Sequence, residues 1–243
     1  MGRRALLVSD LDGTLLGDDD ALERFADWLA PRRGRLMLAY ASGRFWESVE
    51  NAVRGSALPQ PDAVIGGVGT YVQAWPSGEM IWSPAGIVDG RWNPRTVREA
   101  LAGVAGIEPQ PEEYQSPFKV SYYLDDADKE RLGEVGQRLR DRGIAADIIY
   151  SSNRDLDVVP AGVNKGSSVR RLADWAGVDP RNVMVAGDTG NDLSMYERGF
   201  RGIVVANAHP VLRSLSARNI YQARAAHAAG VLEGVRHWLS NVD

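Results

Sequence analysis

Two carboxylates stand at the end of a short apolar run, and that juxtaposition restricts what the chain can become. Ala5-Leu6-Leu7-Val8-Ser9 reads as a buried β-strand, and Asp10-Leu11-Asp12-Gly13-Thr14 follows it directly. Withdrawing a carboxylate from water is costly, and two neighbouring ones also repel each other. A cation between them relieves both penalties. Mg²⁺ suits the task, because it takes oxygen ligands and commonly combines one or two carboxylates with phosphate oxygens. The pattern points to phosphoryl chemistry on a carboxylate nucleophile placed just past a strand.

Composition narrows the class. A chain of 243 residues, 44% hydrophobic and 25% charged, is sized for one large globular domain or for a core with a smaller insert. A net charge of -4 gives no support for a nucleic-acid or anionic-membrane partner. No apolar run is long enough to span a bilayer, and the N-terminal one is too short for a signal peptide. Cysteine is absent, which excludes disulfides and thiolate chemistry. A cytoplasmic protein is expected. Lysine is scarce against arginine, occurring at 119, 129 and 165, so each lysine invites a question.

Strands and helices alternate in the first third. The run 5–10 leads to Leu22, Phe25, Ala26 and Leu29 at helical spacing, then to a strand at Leu36–Ala41, a helix from Glu47 to Val53 and a strand at Asp62–Gly66. Such units imply a parallel sheet with right-handed crossovers. Tyr71–Trp75 and Glu79–Trp82 read as a hairpin around Gly78. Between Pro84 and Pro160 the rhythm changes to a helix, a partly alternating strand (Phe118–Leu124), a helix (Ala127–Arg142) and strands at Ala146–Ser151 and Asp155–Val159. The earlier rhythm then returns, with a helix after Lys165-Gly166, a buried strand at Val183–Gly187, a short helix from Leu193 and a strand at Gly202–Val205. The organisation predicted is a discontinuous core, residues 1–83 and 161–243, interrupted by an α+β insert at 84–160.

Four features fall at predicted strand ends or a helix start: Asp10 with Asp12, Ser42, Lys165, and Asp188 with Asn191 and Asp192. Ligands of open α/β sheets bind outside the carboxyl ends of the strands, so distant residues can converge there. Phosphate-ester cleavage needs these residue types. Asp10 is the expected nucleophile, forming an aspartyl-phosphate. Asp12 is the expected acid and then base. Ser42 and Lys165 offer a hydroxyl and a positive charge to phosphoryl oxygens. Asp10, Asp12 and Asp188 are candidate metal ligands, with Asn191 and Asp192 binding through water or orienting the others.

This ordered set resembles the haloacid dehalogenase (HAD) superfamily, through Asp10-Leu11-Asp12-Gly13-Thr14, Ala41-Ser42-Gly43-Arg44, Asn164-Lys165-Gly166 and Gly187-Asp188-Thr189-Gly190-Asn191-Asp192. The resemblance implies an α/β fold with a Rossmann-like core, a parallel sheet and an inserted C2-type cap domain for substrate specificity. Leu16–Leu22, Leu38–Arg44, Phe118–Asp125, Asp155–Pro160 and His227–Leu232 are similar to the sucrose-phosphate phosphatase branch. That likeness implies Mg²⁺-dependent hydrolysis of a sugar phosphate, sucrose 6-phosphate first. Phosphates of glucosylglycerol, mannosylglycerate or trehalose are the related alternatives. Candidate sugar readers are Lys119, Tyr122, Asp155 and Asp157 in the insert, and Tyr40, Ser42, Gly43 and Arg44 in the core. The competing readings are a generalist phosphatase, a phosphomutase and a catalytically silent partner of a glycosyltransferase. The expected partners are a small sugar phosphate and no nucleic acid or membrane. The protein is expected to be a monomer, with a sugar-phosphate synthase as the candidate protein partner.

The nucleophile assignment has a direct consequence. Asp10→Asn abolishes phosphate release while leaving the fold intact, as read by an unchanged circular dichroism spectrum. Near-native turnover by that folded variant would remove Asp10 from the role.

Overall fold

The computed structural model describes residues 5–88 and 90–240. The chain begins with β1 (Ala5–Ser9), α1 (Asp19–Leu29), β2 (Leu36–Ala41), α2 (Trp46–Gly55), β3 (Ala63–Gly66), β4 (Tyr71–Ala74) and β5 (Met80–Trp82). The middle carries α3 (Pro94–Leu101), β6 (Glu108–Pro109), β7 (Val120–Tyr123), α4 (Lys129–Asp141), β8 (Ala146–Ser151) and β9 (Asp155–Pro160). The last part carries α5 (Lys165–Ala176), β10 (Val183–Gly187), α6 (Leu193–Tyr196), β11 (Arg201–Val204), α7 (Pro210–Arg213), β12 (Ile220–Gln222) and α8 (His227–Ser240). Two compact units result, divided between Trp82 and Ser83 and again between Asn164 and Lys165.

The core unit is built on an eight-stranded sheet in the order β12-β11-β10-β1-β2-β3-β4-β5. The strands from β12 to β3 run parallel, and the hairpin β4–β5 adds an antiparallel edge. β1 pairs with β10 on one side and β2 on the other, and Leu6, Leu7 and Val8 are wholly buried. Burial of both faces explains the unbroken apolar run, since a parallel strand sandwiched by helices has no polar side. The chain builds outward from β1 through β2 and β3, then returns to build through β10 and β11 on the opposite flank. β1 therefore sits at the topological switch, where a crevice opens past the carboxyl ends.

α1 starts where Asp18 accepts the Ala21 N–H at 2.9 Å, and its buried stripe is Ala21, Leu22, Phe25 and Leu29. α8 packs on α1 and β11 and buries Ala228, Gly230, Val231, Gly234 and Val235. Interior glycines lower helix propensity, so this helix does not announce itself in the sequence. The packing explains them: a Cβ on Gly234 would stand 2.4 Å from Ile203 Cγ2 and 3.0 Å from Ile203 Cβ. β12 and α7, of three and four residues, also lie outside the sequence reading.

The insert unit has its own antiparallel sheet, in the order β6-β7-β9-β8. Its core joins Val97 and Leu101 of α3 and Val135 and Leu139 of α4 to Val120, Tyr122, Leu156 and Val158 of the sheet. Strand alternation sends Ser121 and Asp157, which are partners in register, to the opposite face. Among the described residues no helix is long and apolar enough to cross a membrane.

Gly234→Ala tests the close packing of α8. Helix propensity alone predicts a gain of about 1 kcal/mol, whereas a methyl forced against a buried β-branched side chain costs about 1–3 kcal/mol. Urea denaturation is expected to show a net loss; a stabilised variant would mean that Ile203 yields freely.

Candidate active site

Lys165 ties the site together. It opens α5, is wholly buried, and donates from Nζ to Asp10 Oδ1 at 2.8 Å, Asp192 Oδ1 at 2.7 Å and Asn191 Oδ1 at 2.9 Å. An ammonium has three protons, so its hydrogen-bonding capacity is filled. Asp192 Oδ2 accepts the N–H of Asp188 at 3.0 Å and of Thr189 at 3.2 Å. The same side chain therefore holds both Lys165 and the turn after β10. Asn191 Oδ1 also takes the Thr189 hydroxyl at 3.2 Å.

Asp188 is fixed from the first motif, with Oδ1 accepting from Thr14 Oγ1 at 3.0 Å. Gly13 makes that approach feasible: its φ is +77°, and a Cβ there would stand 2.3 Å from Asp188 Oδ2. The Asp188 carbonyl accepts the His209 N–H at 2.7 Å. Thr14 belongs to the motif but had no role in the sequence reading; its position two residues past Asp12 was the available signal.

Oxygens of Asp10, Asp188 and Asp192 lie within 4.8 Å of one another, all three residues buried. Burial pushes the Asp10 carboxyl up, and Asp192 and Asp188 add to that against the pull of Lys165. Burial and then Asp192 raise Asp188 to about 6, with the Thr14 hydroxyl opposing. Burial also works against the Lys165 charge, but Asp10 and Asp192 outweigh it, and its pKa lies above the usual lysine range. One ammonium thus faces three carboxylates. The residual negative charge and the all-oxygen donor set fit a hard divalent cation, with Asp10 and Asp188 holding it beside Asp192.

Asp12 lies outside that cluster. Its side chain is 55% exposed and accepts from Arg44 in bidentate fashion, Nε to Oδ2 at 2.8 Å and Nη2 to Oδ1 at 2.5 Å. Its side chain stands at the rim, paired with Arg44, rather than among the three buried carboxylates. Ser42 is buried at the end of β2, its Oγ accepting the Arg44 N–H at 3.1 Å across Gly43. Ser42, Gly43 and Arg44 therefore form one turn that meets Asp12.

Tyr40 is not brought to this site. It is fully buried in β2, its hydroxyl donating to the Pro59 carbonyl, and burial raises its pKa. It lies two residues before Ser42 in the same strand, inside the packed sheet. Tyr122 is likewise drawn into the helix-covered core of the insert, its hydroxyl buried without a hydrogen-bond partner among the described residues and pushed up to about 12 by burial. Lys119 and Asp157 do meet, at 3.0 Å, on the other face of that sheet. Ser121 Oγ donates to the same Asp157 oxygen at 2.6 Å, and Gln110 donates to Asp155 at 2.9 Å. Burial, then the Asp157 charge, raises the Asp155 pKa.

A parallel sheet with an insert, carrying Asp10, Lys165 and Asp188 at the switch point, defines a phosphoric monoester hydrolase of the HAD superfamily. Within it, the chain belongs to the sucrose-6F-phosphate phosphohydrolase family, whose model matches residues 3–239. It is 40% identical over 238 residues to the mannosylfructose-phosphate phosphatase of Agrobacterium fabrum, covering 96% of each chain. It is 33% identical over 239 residues to the glucosylglycerol-phosphate synthase of Pseudomonas anguilliseptica, covering 96% of this chain and 30% of that one. The structure of the sucrose-phosphatase from Synechocystis sp. PCC6803, in complex with sucrose and phosphate, superposes with a TM-score of 0.90 at 33% identity, covering 98% of each chain.

The crowded carboxylates make stability depend on both pH and metal. A carboxylate whose folded pKa is raised stabilises below its unfolded pKa and loses that contribution as pH climbs through the folded value, here about 6 for Asp188. Without divalent cations the protein should lose melting temperature between pH 5 and 7.5, and Mg²⁺ should restore it more at pH 7.5 than at pH 5. Asp188→Asn should flatten that difference. Thermal melts with and without EDTA check it, and a metal increment equal at both pH values would contradict the crowding account.

Proposed function

We propose that the chain hydrolyses the phosphate monoester of a fructose-bearing disaccharide, with Mg²⁺ as the bound cation. The observation that carries the chemistry is the buried Lys165 joining Asp10 to Asp192 beside Asp188. Asp10 attacks phosphorus, the sugar oxygen leaves with a proton from Asp12, and an aspartyl-phosphate remains. Asp12, now a base, takes a proton from water, which attacks the phosphoryl group and frees Asp10. Ser42 donates its hydroxyl proton to a phosphoryl oxygen, and Lys165 balances charge beside the nucleophile. A bound divalent cation would supply further positive charge for the phosphoryl oxygens, held by Asp10 and Asp188. Asn191 and Asp192 act mainly by fixing Lys165 and the Asp188 turn.

The choice of sugar is supported by the relatives. The names of the A. fabrum enzyme and of the family share a fructose unit, since sucrose is itself a glucosyl fructoside. Identity of 40% over nearly full length favours mannosylfructose phosphate, with sucrose 6-phosphate next. In this reading the insert is the specificity domain. Lys119, Asp155 and Asp157 are the insert's candidate sugar-reading residues, and Arg44 is the core's candidate substrate contact. The match to a segment of a longer synthase favours glucosylglycerol phosphate as a second reading, and a synthase as protein partner.

Phosphate release with Mg²⁺ from mannosylfructose phosphate, sucrose 6-phosphate, glucosylglycerol phosphate, glucose 6-phosphate and p-nitrophenyl phosphate tests this. The expected kcat/KM for the two fructosides exceeds that for glucose 6-phosphate by about 100-fold or more, as sites that hydrogen-bond sugar hydroxyls discriminate strongly. A flat profile would make the enzyme a generalist, and preference for glucosylglycerol phosphate would move the assignment to the second reading.

A further inference from the structure

The catalytic turn is also held from the far end of the chain. The Gly13 carbonyl, between Asp12 and Thr14, accepts from Asn207 Nδ2 at 2.7 Å and meets His227 Nδ1 at 3.1 Å. Asn207 Oδ1 in turn accepts the His227 N–H at 3.0 Å. Three groups thus close a ring of hydrogen bonds on a single peptide oxygen, using both of its lone pairs. Asn207 follows β11 and His227 is the first residue of α8, so 20 residues separate the two donors.

His227 adopts this arrangement at a cost. Its φ is +49°, in the left-handed region that residues with a side chain seldom occupy. Strained backbone of this kind persists where surrounding contacts require it, and it gathers at functional sites. Here the contact it serves is Gly13. The Gly13–Thr14 segment is also the one that abuts Asp188: Thr14 bonds its Oδ1, and the Gly13 Cα faces its Oδ2. A turn pinned on one side by Asn207 and His227 presents its other side to Asp188.

We propose that Asn207 and His227 are positioning residues of the phosphoryl-transfer site, clamping the Gly13 carbonyl so that Asp12 and Asp188 are held ready for reaction. The proposal rests on the hydrolase reading above for its catalytic consequence, while the clamp itself is a statement about one carbonyl. The ring nitrogen is the donor, so His227 carries its proton on Nδ1.

Three variants separate donor from backbone. His227→Gly keeps the left-handed conformation and loses the donor. His227→Asn keeps a donor at the Nδ1 position and tolerates the same φ. Asn207→Asp keeps the acceptor for the His227 N–H and turns the donor toward Gly13 into an oxygen. Each is read by the ¹³C resonance of the Gly13 carbonyl and by steady-state kinetics on whichever phosphate ester the wild type cleaves best. His227→Gly and Asn207→Asp should shift the carbonyl resonance and lower kcat by roughly 10–100-fold, as is typical for residues behind a metal or catalytic ligand. KM should stay within about twofold, and His227→Asn should recover kcat to within about threefold of wild type, the split expected of a group acting on the transition state.

An unmoved carbonyl resonance in His227→Gly and Asn207→Asp overturns the clamp. A moved resonance with unchanged kcat overturns the positioning role, as does a loss that His227→Asn fails to recover. A wild type that cleaves no phosphate ester defeats the hydrolase reading instead, and the carbonyl resonance then decides the clamp alone.

Discussion

The charge balance around Lys165 is the constraint on which the site depends. An ammonium with no solvent exposure can stay charged only among anions, and Asp10 and Asp192 supply them. Burial first, and then repulsion among the carboxylates, hold Asp10 and Asp188 above the usual carboxylate range against the pull of Lys165. The result is a buried cluster of carboxylate oxygens whose residual negative charge fits a hard divalent cation.

That cluster exists because of strand order. β1 lies between β10 and β2, so the loops following these strands open side by side. Asp10 leaves β1, Ser42 leaves β2, Asp188 leaves β10, and Lys165 enters from the helix that precedes β10. Segments as far apart in the chain as Asp10 and Asp192 meet in one cluster, although the whole insert unit intervenes between them. Buried strands keep their ends in place, and the turns after them carry the candidate site residues. Gly13, free of a Cβ, lets the first of these turns meet the last.

The insert repeats the same division of labour on one sheet. Its helix-covered face is apolar, and Tyr122 belongs there. Its other face gathers Lys119, Ser121 and Asp157 into hydrogen bonds. Alternation along β7 decides which residue goes where, because neighbouring side chains in a strand point to opposite sides. The family-like stretch Phe118–Asp125 could not distinguish Tyr122 from Lys119 by spacing alone.

Much of the fold was legible in residue order. Unbroken apolar runs at Leu36–Ala41 and Val183–Gly187 marked the buried strands, and carboxylates at strand ends marked residues that the fold gathers into one cluster, because both patterns follow from local burial and charge. Tertiary structure alone decided the rest. α8 was hidden because its glycines fit the closeness of Ile203, not helix propensity. Tyr40 looked like a ligand contact from its place near Ser42, but the packed sheet points it to Pro59. Residue order separated Asp10 from Asp12 by expected role, but only the fold sends one to Lys165 in the interior and the other to Arg44 at the surface. Sequence sets which chemical groups are available and roughly where strands end. Distances between groups far apart in the chain, and the electrostatic state those distances impose, arise only when the sheet is assembled.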